Sequence, residues 1–270
     1  MNTKPHPYYP NLQQGIGIFV LFIFLSMIFG MISSIGYINQ DPLLKDLSIL
    51  LSYLLSAGGT ILIIARLKKM QNPEVPTFRN YTPKGKTIVI ALLLTLPLII
   101  IAEALTSLVP MPEWYKDVFA ELFKLSVPSF ITAVIIAPVL EEMIFRGVIL
   151  DGFLRNFSPG KSILLASLLF GVAHLNFWQF LGAFMIGLFI GWVYWKTKSL
   201  GLAIGLHMFN NLLSFMAMYF SPESTAETTI RDFTEGTNMY YAILGISVLL
   251  LVAGYFTRSY WLPSNKEHTS

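Results

Sequence analysis

The chain has 270 residues, of which 54% are hydrophobic and only 12% charged, with a net charge of +3 and no Cys. A soluble domain carries about 25% charged residues, so this composition, with a mean hydropathy of +0.63, argues against a water-soluble globular protein and excludes a disordered one. A charge of +3 over this length makes no basic face for nucleic acid, and without Cys there is no disulfide, thiolate metal site or Cys nucleophile.

A membrane-crossing helix needs about 20 mostly apolar residues. Eight such segments are predicted, at 15–38, 47–65, 87–109, 128–150, 162–174, 177–194, 200–220 and 239–256, which makes the chain an all-α polytopic membrane protein. The first is longer than the apolar core of a signal peptide, about 7–15 residues, so it reads as a retained helix. The simplest partition is one membrane-embedded domain over 15–257, with its functional core at 128–220, and short tails at 1–14 and 258–270. Between the third and fourth spans, residues 113–124 have Tyr115, Val118, Phe119 and Leu122 at amphipathic spacing, which predicts a surface helix.

Eight crossings place both termini on one side. Thirteen of the 18 Lys and Arg fall on that side, four fall on the other, and Arg146 lies within a span. By the positive-inside rule both termini are expected in the cytoplasm. Size and the basic-loop pattern lean towards a bacterial plasma membrane. The basic run from Arg66 to Lys86 is accounted for by topology and lipid headgroup contact.

Ionisable side chains inside hydrocarbon are costly and mark cavities or partners. Such groups, and polar amides with them, concentrate in the second half of the chain: Glu141, Glu142 and Arg146 in the fourth span, His174 in the fifth, and His207 with the amides Asn210 and Asn211 in the seventh. Glu103, in the third span, is an outlier with no assigned role. Glu142 and Arg146 are i, i+4 with the acid N-terminal, the favoured order for an ion pair. Glu141 diverges from its neighbour by about 100° and has no opposite charge on its own helix, so it must find a partner elsewhere or titrate. His207 and Asn211 share a helix face, as do Phe170 and His174. At about 1.5 Å per residue, Glu141, His174, His207 and Asn211 lie roughly 14–20 Å deep, in one layer.

Three motifs emerge in chain order: Glu141-Glu142-x-x-x-Arg146, Phe170-x-x-x-His174 and His207-x-x-x-Asn211. Together they resemble the CPBP intramembrane protease family, which includes the prenyl-protein (CAAX) proteases and bacterial relatives linked to bacteriocin processing or self-immunity. The resemblance implies an eight-helix bundle that encloses an endopeptidase site. Carried over by position, it implies Glu141 as general base and His174 as a holder of the water. His207 and Asn211 would form the oxyanion hole, with Glu142, Arg146 and Phe170 in support. The expected partners are membrane lipid and a membrane-associated peptide or lipidated protein, with no cofactor.

Peptide hydrolysis needs an activated water, a stabilised oxyanion and a protonated leaving amine, and this residue set can supply all three. A buried site must also be wet, so a water-filled cavity is expected. One alternative is a zinc-dependent version of the same protease, with Glu141, His174 and His207 as ligands, although no HExxH spacing favours it. Another is a non-catalytic bacteriocin-immunity or membrane partner protein. A proton-coupled transporter fits less well, because the chain has no inverted repeat.

Overall fold

The computed structural model describes residues 8–39, 41–112, 126–220, 234 and 238–263. Among these it is helical almost throughout, with an isolated bridge between Asn80 and Ser199. The predicted surface helix at 113–124 lies outside the described residues.

Helix α1 (Leu12–Gly30) starts at a reciprocal cap. Asn11 accepts from the Gln14 amide at 3.0 Å, and the Gln14 side chain accepts from the Asn11 amide at 2.9 Å. A tight turn leads into α2 (Ser34–Asn39), which folds against the start of α3 (Pro42–Gln71). Asp41 caps α3, and Pro42 occupies its first turn, where no backbone donor is needed. Helix α4 spans Gly85–Thr106.

The central helix, α5, runs over 127–156. It alternates α-helical turns with two wide π-helical stretches, Ile131–Ile136 and Met143–Leu150. Helices α6 (Pro159–Val172), α7 (Phe177–Thr197), α8 (Leu200–Phe220), α9 (Asn238–Phe256) and α10 (Arg258–Trp261) complete the described chain.

Six of the described helices are long and apolar enough to cross a membrane: α1 with its extension, α3, α4, α7, α8 and α9. The predicted fourth span is present as α5. The fifth is α6, whose 14 residues reach only about 21 Å. The main boundary difference is in α3, expected over 47–65. Its backbone continues through Lys45 and Lys68, whose charges mark the ends of the apolar run, because both side chains are buried against the bundle. Lys68 Nζ donates to the carbonyls of Thr77 and Gly147 and to Asp151.

The chain alternates direction, so helix ends gather at two poles. At one pole the start of α1 meets the end of α3 through Gln14 and Gln71, and Asn156 of α5 donates to the carbonyls of Tyr8 and Pro10. Thr87 of α4 bonds the Trp261 carbonyl there, and Asn80 accepts from the Gly201 amide of α8. At the other pole Trp178 of α7 donates to the Val109 carbonyl, and Ser126 donates to Asp46. Tyr9, Trp261 and Leu262 are buried, so residues within the expected tails 1–14 and 258–270 belong to the bundle.

The core lies around α5, where residues 144–150 are buried without a break, so neighbours enclose that helix on every side. The outer faces have the opposite character: Met27, Leu62 and Leu249 are 69%, 74% and 68% exposed. Faces this apolar are stable only against hydrocarbon. Inside, small residues let backbones approach. A Cβ on Gly152 would sit 2.2 Å from Pro10 Cδ and 2.5 Å from its nitrogen. Gly152→Ala is therefore expected to destabilise the bundle by about 1–3 kcal/mol. Gly17→Ala, which meets nothing within 4 Å, should leave the thermal midpoint in detergent unchanged.

Candidate active site

The two glutamates sit on the α-helical turn Ala137–Glu142, between the π-helical stretches of α5. Glu142 is fully buried and Arg146 is 2% exposed, and the predicted pair forms with Arg146 Nη1 at 2.6 Å from Glu142 Oε1. The same carboxylate oxygen takes a second bond, from His207 Nδ1 of α8 at 2.9 Å. A carboxylate only accepts, so Nδ1 carries the hydrogen and Nε2 is the ring atom left to face the site. His207 Nε2 lies 3.8 Å from Glu141 Oε2.

Glu141 therefore does find its partners on other helices. Besides His207 it accepts a hydrogen bond from the Tyr53 hydroxyl of α3. Its side chain is 16% exposed, against none for Glu142, so the two adjacent carboxylates occupy different environments.

Phe170 packs all of this together. Its ring is met edge-on by Phe145 at 5.1 Å, His174 at 5.3 Å and His207 at 5.4 Å, and the Arg146 guanidinium sits over it at 4.5 Å. His174 was expected inside the fifth span, but α6 ends at Val172. His174 lies in the following turn, where Leu175 takes a left-handed φ of 56° and Asn176 caps α7. The one-turn relation to Phe170 survives, because His174 Nδ1 donates to the Phe170 carbonyl at 3.0 Å. That bond fixes Nε2 as the atom available to a water.

Asn211 reaches α5 rather than open space. Its Nδ2 donates to the Ala133 carbonyl at 2.8 Å, and its Oδ1 accepts from Asn210. Ala133 lies in the first π-helical stretch, where wide turns depart from the α-helical bonding ladder. Among the described residues no group of three His, Asp or Glu is arranged to hold a metal ion, and that includes Glu141, His174 and His207.

Residues 123–213 match the model of the Rce1-like type II CAAX prenyl endopeptidases, a segment that contains all three motifs. The membrane-embedded CAAX protease MroQ of Staphylococcus aureus (strain USA300) is 31% identical over 209 residues, covering 72% of this chain and 80% of that protein. The chain belongs to the CPBP family of membrane proteases. No solved structure matches it. As a CPBP member, the chain is an integral membrane endopeptidase acting on a peptide or protein substrate in the membrane.

Two residues at this CPBP site escaped the sequence reading. Tyr53 sits in a span that looks inert, yet Ser48, Ser52, Ser56 and Thr60 form a buried four-residue stripe beside it. Such small polar stripes mark the inward face of a membrane helix, and that stripe was the available signal. Gly187 of α7 receives Arg146 Nη2 on its carbonyl at 3.2 Å, and a Cβ there would lie 3.3 Å from Phe170. Tyr53→Phe removes a donor to a charged acceptor, so turnover is expected to fall about tenfold or more while the thermal midpoint holds. Unchanged kcat in a purified cleavage assay would mean that this bond does not shape the site.

Proposed function

We propose that Glu141 activates a water to hydrolyse a peptide bond within the bundle, without a metal ion. The observation that carries this reading is the meeting of Glu141 with His207 at 3.8 Å, beside a Tyr53 donor and a Phe170 wall that also holds His174. Glu141 takes a proton from the water as it attacks the carbonyl carbon, then delivers it to the leaving amine as the C–N bond breaks. His174 Nε2 holds the water by hydrogen bonding.

The oxyanion is met by His207 and Asn211. The Nδ1–H bond to Glu142 orients the ring, so that the Nε2 edge of His207 is turned toward the oxyanion. The Asn211 amide carries two hydrogens. One is used on Ala133, and the other is assigned to the oxyanion. Glu142, Arg146 and Phe170 hold these groups in place.

The substrate class is a membrane-associated peptide or protein: a CAAX-like lipidated C-terminus, a bacteriocin precursor or a signalling peptide. The setting is a bacterial plasma membrane with both termini cytoplasmic, as the Lys/Arg bias indicates. The test compares peptide termini in cells expressing wild type or Glu141→Ala at equal levels. Termini that appear only with wild type support the reading and name the substrate. Identical termini, with both proteins folded, would sink it and favour a binding role. Metal analysis of the active purified protein separates the zinc version, which requires stoichiometric metal and loss of activity on chelation.

A further inference from the structure

Away from the proposed catalytic group, the pole where α3, α5 and α7 end carries a second buried polar cluster. Asp151 of α5 is 2% exposed. Lys68 Nζ lies 3.1 Å from its carboxylate, Arg155 Nε 3.5 Å and Arg79 Nε 3.6 Å. Lys198, just past α7, feels the same charges. Burial pushes its ammonium down to about 8, Asp151 opposes that shift, and Arg79 and Arg155 add to it.

One carboxylate therefore faces four basic side chains, and it is already engaged with Lys68, whose ammonium is completed by the Thr77 and Gly147 carbonyls. Arg79 and Arg155 share that same carboxylate at longer range, so one negative charge is divided among several positive ones. Hydrogen bonding points the same way. The Tyr194 hydroxyl is fully buried without a hydrogen-bond partner, and the buried Nε and Nη2 atoms of Arg155 make no hydrogen bond, Nε having only its 3.5 Å ion-pair contact with Asp151. A buried donor left unpaired costs about 1–3 kcal/mol. Donors without hydrogen bonds beside an excess of positive over negative charge call for a group with several acceptor oxygens and negative charge. A guanidinium fork matches a phosphate in both respects.

We propose that Arg155, Arg79, Lys198 and Tyr194 form a binding site for a phosphate oxyanion at this pole of the bundle. The phosphate is supplied either by an anionic phospholipid headgroup, which lies at the depth of helix ends, or by a free phosphate. The site is built from the ends of α5 and α7 and from the loop before α4, so occupancy ties together elements that hold the proposed catalytic helix. This inference stands independently of the catalytic reading, because it uses none of the residues of the Glu141 cluster.

The test uses the purified full chain in nanodiscs and reads its thermal midpoint. One arm adds inorganic phosphate to phosphatidylcholine discs, against chloride at equal ionic strength. The other replaces part of the phosphatidylcholine with phosphatidylglycerol. A saturable rise in the first arm identifies free phosphate as the source, and a rise confined to the second identifies the headgroup. In either case Arg155→Gln combined with Lys198→Gln should weaken the effect about tenfold or more.

Tyr194→Phe conserves volume and removes only the unpaired hydroxyl, so it should fold and weaken binding severalfold even where the charge variant does not fold. The absence of a saturable rise in both arms would overturn the proposal. So would a rise of the same size in wild type and Tyr194→Phe.

Discussion

Glu141→Gln is expected to slow peptide-bond cleavage by at least about 10²–10⁴-fold, the contribution typical of a positioned general base, while the protein stays folded. The substitution is nearly isosteric. The Gln carbonyl can still accept from Tyr53, so the bond from α3 to α5 survives. Glu141 also takes no part in the Arg146 ion pair, which uses Glu142 Oε1. What disappears is the capacity to take a proton from water and give it to the leaving amine. The measurement is kcat with a purified enzyme and the peptide identified by terminus mapping, together with thermal midpoints. Turnover within tenfold of wild type would remove Glu141 from the base role and return attention to a metal-bound water.

The parts of this site legible in the sequence were those fixed within four residues of chain. The Glu142–Arg146 pair and the Phe170–His174 contact follow from a four-residue spacing, and both formed. Convergence of three segments on one layer could be anticipated from depth, because ionisable groups in hydrocarbon must find one another. What the spacing could not provide was partnership across helices.

Tyr53 lies 88 residues before Glu141, and nothing local to α3 announces it except the serine stripe. Uniform α geometry also misrepresents α5. Its two π-helical stretches change the residues per turn on either side of the glutamates, so the faces presented to α3 and α8 do not follow a 3.6 period. Helix ends were harder again. Lys45 and Lys68 look like termini by charge, yet both lie buried within α3, and Lys68 is accepted there by Asp151 and by the Thr77 and Gly147 carbonyls.

A different buried charge pair produces the largest expected stability effect. Glu142 and Arg146 are enclosed, at 0% and 2% exposure, and bonded at 2.6 Å. Removing one member of such a pair strands the other charge, so Glu142→Leu or Arg146→Leu alone is expected to cost about 3–5 kcal/mol. The double variant replaces the pair with apolar volume and should lie closer to wild type than either single change, as buried pairs replaced together often do.

The two singles are not equivalent in chemistry. Without Arg146, Glu142 keeps His207 Nδ1 at 2.9 Å. Without Glu142, the imidazole loses the acceptor that fixes its tautomer and orientation. The double variant should therefore recover much of its thermal midpoint and still cleave about 10²–10³-fold slower than wild type, the loss typical of one oxyanion donor. A double variant with restored turnover would show that Glu142 serves only to neutralise Arg146. Recovered stability with persistent inactivity assigns to Glu142 the positioning of His207, which makes the second glutamate of the motif part of the catalytic geometry rather than of the scaffold.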